Sequence, residues 1–265
     1  MGTFSSKVKK KGVVRRPDHL AFSVEKMYLN TVMIPEGKRR ISMQTIHPDE
    51  GEILDIELEE SLLAKNRDLA ARNQKLLEKY RIQAIDILGS IGSGKTSLIQ
   101  QMVSHLKDRY QIAALAGDLT TTIDAERIEN AGAPVIQINT GKECHLDGHL
   151  VSKALNQLNL ADFDLIFIEN VGNLICPGEF PVGAHQRMVV VSVTEGPYMI
   201  LKHPYILAEA SALAINKIDL AETMRVSLDQ LKADALGIRP GLPVIMTNGR
   251  TGEGIPDLLH ALNLA

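Results

Sequence analysis

The sequence predicts an α/β fold in which a mostly parallel sheet is covered by helices on both faces, with one further helix ahead of it. Three observations carry this. From Ile82 onward, apolar runs of three to six residues alternate with longer amphipathic stretches, as in buried parallel strands joined by helical crossovers. The first of these runs ends in a glycine-rich turn that opens a helix. Finally, 265 residues at 45% hydrophobic content supply the core of one large α/β domain or two small ones.

Taken in order, residues 1–40 hold ten Lys and Arg against three acids. Residues 1–50 therefore read as a basic, solvated extension. Binding to an anionic surface, a transit peptide, or a later start at Met43 are the other readings of this stretch. Residues 49–60 then carry seven acids and no base, a switch that marks a boundary. The segment 51–81 holds the acidic stretch and a helix over 61–80, where Leu62, Leu69, Leu76 and Leu77 recur near helical spacing without Gly or Pro. The main domain spans 82–265. Strands are expected at 84–88, 112–116, 135–138, 165–168, 188–193, 213–215 and 244–246. Helices are expected at 95–109, 123–131, 147–158, 200–209, 222–235 and 255–263. Ligands of such a sheet bind beyond the carboxyl ends of its strands.

Composition excludes several classes. Net charge is −3, aromatic content is 4% and Trp is absent, which argues against nucleic-acid partners that need stacking platforms or a polycationic surface. No apolar run reaches the roughly 18 residues of a membrane span, and the N-terminus lacks the apolar core of a secretory signal. Two cysteines cannot build a disulfide framework, so a reducing, cytoplasmic setting is expected.

The first strand ends in Gly89-Ser-Ile-Gly92-Ser93-Gly94-Lys95-Thr96-Ser97, which fits G-x-x-x-x-G-K-[ST]. Glycines let successive N–H groups point inward, and the helix that follows adds its positive end, so the turn cradles phosphates. Lys95 would neutralise the β- and γ-phosphates, and the Thr96 hydroxyl would ligate Mg²⁺. Asp118, at the end of the second strand, reads as a group that reaches Mg²⁺ through water or orients the attacking water, and otherwise as a helix cap. Asp124 is a cap candidate of its own. Glu169 ends the apolar run Phe163–Glu169 in Walker-B fashion, and the Gly172 N–H three residues on is placed to sense a γ-phosphate. Asn216-Lys217-Ile-Asp219 follows another strand. A carboxylate there accepts from both N1–H and the exocyclic amine of guanine, a donor pair adenine lacks, so GTP is the expected nucleotide. Thr247-Asn248, after the last strand, are weaker candidates for base contacts.

The two cysteines lie in Cys144-His145 and in Cys176-Pro177, four residues past Gly172. Two thiolates and an imidazole suit Zn²⁺ or Ni²⁺, and two ordinary buried thiols are the alternative.

From about residue 55 to the end, the chain resembles the HypB family of hydrogenase nickel-incorporation GTPases. The motifs are GSIGSGKT, GDLTTTIDAERI, GAPVIQINTGKECHLD, FIENVGNLICP, VVVSVTEG and NKIDL, in that order. The resemblance implies a SIMIBI-type P-loop GTPase that forms a homodimer, with Cys144, His145 and Cys176 as interface metal ligands. It also implies delivery of Ni²⁺ to the large-subunit precursor of [NiFe]-hydrogenase, with a HypA-type partner. The eight His are scattered and no Cys precedes Cys144, so the N-terminal region does not read as a nickel store. Two rival readings are a urease-accessory GTPase, whose Cys-Pro-His cluster this chain lacks, and a P-loop small-molecule kinase, which would not need Asn216-Lys217-Ile-Asp219. Slow GTP hydrolysis is expected, because no water-orienting Gln follows Gly172 and no arginine stands out as a finger.

Overall fold

The computed structural model describes residues 56–119, 121–141 and 143–265. The basic extension and most of the acidic boundary segment lie outside them.

Among the described residues, seven strands form one sheet: β1 (Gln83–Gly89), β2 (Ile112–Asp118), β3 (Val135–Asn139), β4 (Leu165–Glu169), β5 (Gln186–Ser192), β6 (Ala212–Asn216) and β7 (Val244–Thr247). Their spatial order is β3-β2-β4-β1-β5-β6-β7, and every pairing is parallel. A sheet of this kind puts the ends of β1, β2, β4 and β6 on one edge, which is where the motifs fall.

The pleat sorts the side chains of each strand between two cores. Ile85 and Ile87 of β1, Leu165 and Phe167 of β4, and Met188 and Val190 of β5 face one side. There they meet α2 (Lys95–Leu106), α3 (Ile123–Ala131) and α9 (Ile255–Ala261). On the opposite face, α1 (Ile56–Tyr80) and α4 (Gly148–Leu155) cover Ala84, Leu115 and Ile168. That face continues as Leu88, Val189 and Ile215, under α6 (Met199–Lys202) and α8 (Leu228–Ile238).

α1 starts at Ile56, five residues before the predicted start. Acids are favourable at the positive end of a helix, so the acidic stretch runs into the helix instead of ending before it. Two buried asparagines dock α1. Asn66 Nδ2 donates to the Pro181 carbonyl (2.9 Å), and its Oδ1 accepts from the Gly148 N–H (2.7 Å). Asn73 Nδ2 donates to the carbonyls of Gly148 (2.7 Å) and Val182 (3.1 Å). A Cβ on Gly148 would stand 2.9 Å from the Ala70 nitrogen, so the close approach depends on that glycine.

Two predicted helices are broken. The helix expected at 200–209 is α6 followed by a 3₁₀ turn over Pro204–Leu207, because proline removes an N–H and restricts the residue before it. The helix expected at 222–235 splits into α7 (Ala221–Met224) and α8. Arg225 is left-handed at φ 53°, and Ser227 caps α8 by accepting from the Gln230 N–H (3.2 Å). A further short helix missed in the sequence, α5 (Cys176–Glu179), follows β4.

Candidate functional site: a phosphate cradle beside a Cys/His cluster

The turn after β1 curls back on itself, with the Ser93 N–H donating to the Ser90 carbonyl (3.2 Å). Gly94 is left-handed at φ 102° and opens α2. A Cβ there would collide with the Asn216 amide, so the close approach requires glycine. Lys95 is 6% exposed, and its Nζ donates to the carbonyls of Gly89 and Ser90, 3.2 Å each. Burial lowers its pKa, while Glu169, Asp124, Glu195 and Asp118 act in the opposite direction and favour the charge. The Ser93 hydroxyl is buried in the same turn with no protein partner.

Next to Lys95, the Thr96 hydroxyl lies 2.8 Å from Asp124 Oδ1 and 2.8 Å from Glu169 Oε1. One hydroxyl proton cannot serve two carboxylates, so either an acid carries a proton or a cation sits between them. Burial pushes Glu169 up to about 7, and its Oε2 is buried without a partner. Two acids and a hydroxyl converging on one point, one oxygen still unserved, is a donor set that fits an oxygen-preferring cation such as Mg²⁺. Asp124 is therefore not a helix cap. Thr122 holds the N-cap position of α3, its hydroxyl donating to Glu126 Oε1 (2.7 Å) instead of capping a backbone N–H, and Asp124 turns toward Thr96. Asp118 ends β2, and its Oδ1 accepts from the Thr121 N–H (2.8 Å). Arg127, not singled out in the sequence, donates to Ser97 Oγ (2.9 Å) and lies 3.4 Å from Asp124.

At the other end of the cradle, Asn216 points inward. Its Nδ2 donates to the Ser93 carbonyl (2.9 Å) and its Oδ1 accepts from the Gly249 N–H (2.9 Å). It staples the phosphate turn to the loop after β7. Thr247 is buried and bonds the Ile215 carbonyl (3.3 Å), while Asn248 Oδ1 accepts from the Arg250 N–H (3.0 Å) and shapes the loop. Lys217, left-handed at φ 61°, donates to the Gly92 carbonyl (2.6 Å). Asp219 is one-third exposed and faces Arg250 at 3.7 Å, a surface pair that a ligand displaces at little cost. Glu195 was missed in the sequence. Burial raises its pKa, and it accepts from Ser90 Oγ and from the Ser192 N–H.

Cys144, His145 and Cys176 converge, with their ligand atoms all within 4.8 Å of one another and no disulfide formed. A tetrahedral ion with donors at about 2.0–2.3 Å holds them roughly 3.5 Å apart, so closing on an ion takes at most about an ångström of movement. Burial lowers the pKa of His145, which favours the neutral, ligating form, and its ring stacks on Phe180 at 4.0 Å. The Cys176 thiol is pushed up, first by its hydrogen bond with Cys144 and then by burial.

This cluster adjoins the cradle directly. Gly89 forms an isolated bridge with Asn173, and Ile91 lies where a Cβ on Gly172 would be. On the other side, the fully buried Leu146 side chain lies over Gly117, and a Cβ there would sit 2.8 Å from it. Gly117→Ala is expected to destabilise by about 1–3 kcal/mol through overpacking. Urea unfolding will measure the cost, and it is expected to shrink when Gly117→Ala is made in a Leu146→Ala background, since the two residues touch.

Residues 83–246 match the CobW/HypB/UreG nucleotide-binding domain. The chain belongs to that family. The probable hydrogenase maturation factor HypB of Methanocaldococcus jannaschii is 48% identical over 205 residues, 77% of this chain and 93% of that one. Among solved structures, HypB from Archaeoglobus fulgidus superposes with a TM-score of 0.70 at 40% identity, covering 76% of this chain and 98% of the other. HypB from Helicobacter pylori in complex with nickel gives 0.71 at 32% identity, covering 75% and 94%. Within the CobW/HypB/UreG family, these likenesses place the chain with HypB. The α/β sheet around its glycine-rich turn is a P-loop NTPase fold. Among the described residues, no helix is long and apolar enough to cross a membrane.

Proposed function

We propose that this protein is a slow GTPase that binds Ni²⁺, or Zn²⁺ in its place, and hands nickel on during maturation of [NiFe]-hydrogenase. The observation that carries the reading is the adjacency of two sites on one sheet edge: the Cys144/His145/Cys176 cluster sits against the turn holding Lys95 and Thr96. The nickel complex of the Helicobacter pylori relative supports the metal assignment.

In this reading the N–H groups of Gly92, Ser93 and Gly94, the Ser93 hydroxyl and Lys95 hold the phosphates. Thr96, Glu169 and Asp118, directly or through water, would hold Mg²⁺, which screens the phosphate charge when bound. Asp124 joins that set on its 2.8 Å contact with Thr96. Asp118 orients the water, and the Gly172 N–H registers the γ-phosphate. Asp219 selects guanine, Lys217 lies along the purine, and Asn216, Thr247 and Asn248 fix the loops around it. Hydrolysis is slow because nothing resembling a water-orienting Gln follows Gly172.

Three protein ligands leave a tetrahedral ion one short. In a homodimer a thiolate from the second subunit can supply the fourth, and GTP favours that closed pair. The working partners are a HypA-type nickel chaperone and the hydrogenase large-subunit precursor, in the cytoplasm. Linkage then requires that if GTP changes nickel affinity, nickel changes GTP affinity by the same factor.

The deciding experiment is a titration of GTP against ATP, with phosphate release, Ni²⁺ binding and sedimentation measured in GDP and in a non-hydrolysable GTP analogue. Tight GTP binding with weak ATP binding and stoichiometric nickel supports the reading. ATP preference, or ATP-dependent phosphorylation of a small molecule, refutes it. Asp118→Ala is expected to slow hydrolysis by about 10²–10⁴-fold while barely changing analogue affinity. Normal turnover in that variant removes Asp118 from the mechanism.

A further inference from the structure

The halves of the Cys/His cluster come from two connections 32 positions apart in the chain, the loop after β3 and the loop after β4 that opens into α5 at Cys176. A group beneath the sheet edge reaches both. Asp86 stands in the middle of β1, on the face where its neighbours Ala84 and Leu88 are buried, and is itself 1% exposed. A carboxylate at such a position needs partners for both oxygens. Its Oδ1 accepts from Asn170 Nδ2 (3.1 Å), and its Oδ2 accepts from Arg187 Nε (3.2 Å).

Each partner continues to one of the loops. Asn170 Oδ1 accepts from the N–H of Leu146 (3.0 Å), the residue after His145, and from the N–H of Val171 (3.0 Å). Arg187 Nη1 donates to the carbonyl of Gly178 (3.2 Å), two residues past Cys176, and to Glu209 Oε2 (3.0 Å). One buried carboxylate is thus two hydrogen bonds from the backbone beside His145 and two from the backbone beside Cys176. Asn170 also follows Glu169 directly, so the strand that brings the acid to Thr96 carries one arm of the network. A buried ion pair of this kind commonly adds little stability over an apolar pair of the same volume. Its reach into both loops gives it another role.

We propose that Asp86, Asn170 and Arg187 are positioning residues for the metal site, holding Cys144-His145 and Cys176 within reach of one ion and tying them to the strand of Glu169. The proposal rests on reading those three side chains as a Ni²⁺ or Zn²⁺ site. It is the role that outer hydrogen bonds play at metal centres, where they orient the ligands without touching the ion.

The test is Ni²⁺ titration of the full chain, read by affinity and by the thiolate-to-nickel charge-transfer absorption, with GTP-analogue affinity measured alongside. Arg187→Met and Asn170→Ala are each expected to weaken Ni²⁺ by about 10–100-fold and to change the absorption. Analogue affinity of Arg187→Met, which touches nothing in the cradle, is expected to stay within about twofold. Arg187→Lys, which keeps a cation beside Asp86, is expected to recover part of the loss. Should Arg187→Met fail to fold, Asp86→Leu with Arg187→Met replaces the pair by apolar side chains, and the same nickel loss is expected. Unchanged nickel affinity and absorption in Asn170→Ala and in the folded double variant, with binding abolished by Cys176→Ala, overturns the proposal and leaves the metal site standing. If Cys176→Ala binds nickel like the wild type, the metal-site reading falls and the proposal falls with it.

Discussion

Lys95→Ala is expected to lower single-turnover GTP hydrolysis by about 10²–10³-fold, the usual cost of losing one preorganised donor at a developing charge. It is also expected to weaken GTP-analogue binding, because in the proposed reading Lys95 meets phosphate in the ground state as well. The ammonium is buried and already aimed by two backbone carbonyls, and four surrounding acids favour its charge against the pull of burial. It costs little reorganisation when a phosphate arrives. Lys95→Arg is not expected to rescue, since a planar guanidinium cannot occupy a slot shaped by the Gly89 and Ser90 carbonyls. The contrast with Asp118→Ala is the informative one: Lys95→Ala is expected to move binding and turnover together, whereas Asp118→Ala lowers turnover more than binding. A Lys95→Ala protein that hydrolyses within threefold of wild type would show that the phosphates sit elsewhere.

The second large effect concerns the metal. Cys144→Ala with Cys176→Ala is expected to reduce Ni²⁺ and Zn²⁺ affinity by about 10⁴-fold or more. Four-ligand sites reach about 10–16 kcal/mol, so each thiolate accounts for a few kcal/mol. The fold is expected to survive, because both cysteines are only partly buried and neither belongs to a core cluster. Equilibrium dialysis with a competing chelator gives the affinity, and a thermal melt of the metal-free proteins separates lost ligands from lost structure. An equal loss of stability in the metal-free state would recast the cysteines as packing groups. His145→Ala is expected to cost less, since it removes one ligand of the three instead of two.

The strands were the most legible part of the chain, because a strand buried on both faces must be apolar almost throughout. All seven fall within two residues of their predicted bounds, and the lesson reverses for the short helices of the second half. Periodicity alone runs 200–209 and 222–235 as continuous helices. Pro204 forbids one at a single bond, and the left-handed Arg225 with its downstream Ser227 cap divides the other. Pro204 was visible; Arg225 carried no signal, since a non-glycine residue takes positive φ only when its surroundings impose it.

The candidate site divides the same way. Contiguous motifs announce themselves, because a phosphate cradle is built from one turn of backbone and its residues must be neighbours in sequence: Gly89 to Thr96, Asn216 to Asp219, Cys144 beside His145. That much the amino-acid order determined by itself. Tertiary structure alone decided which distant side chains share a partner. Asp124 read as a helix cap until folding brought it within 2.8 Å of Thr96. Glu195 and Arg127 lay inside the motifs VVVSVTEG and GDLTTTIDAERI with no role of their own until the fold brought them to Ser90 and Ser97. Asp86 drew no reading in the predicted strand 84–88, although a lone acid in an apolar run was an available clue. Its partners Asn170 and Arg187 are 84 and 101 residues away. The reason is physical: a buried carboxylate must be satisfied by whatever donors the sheet stacks beside it, and neighbours across a parallel sheet are chosen by strand order, which no local pattern in the chain encodes.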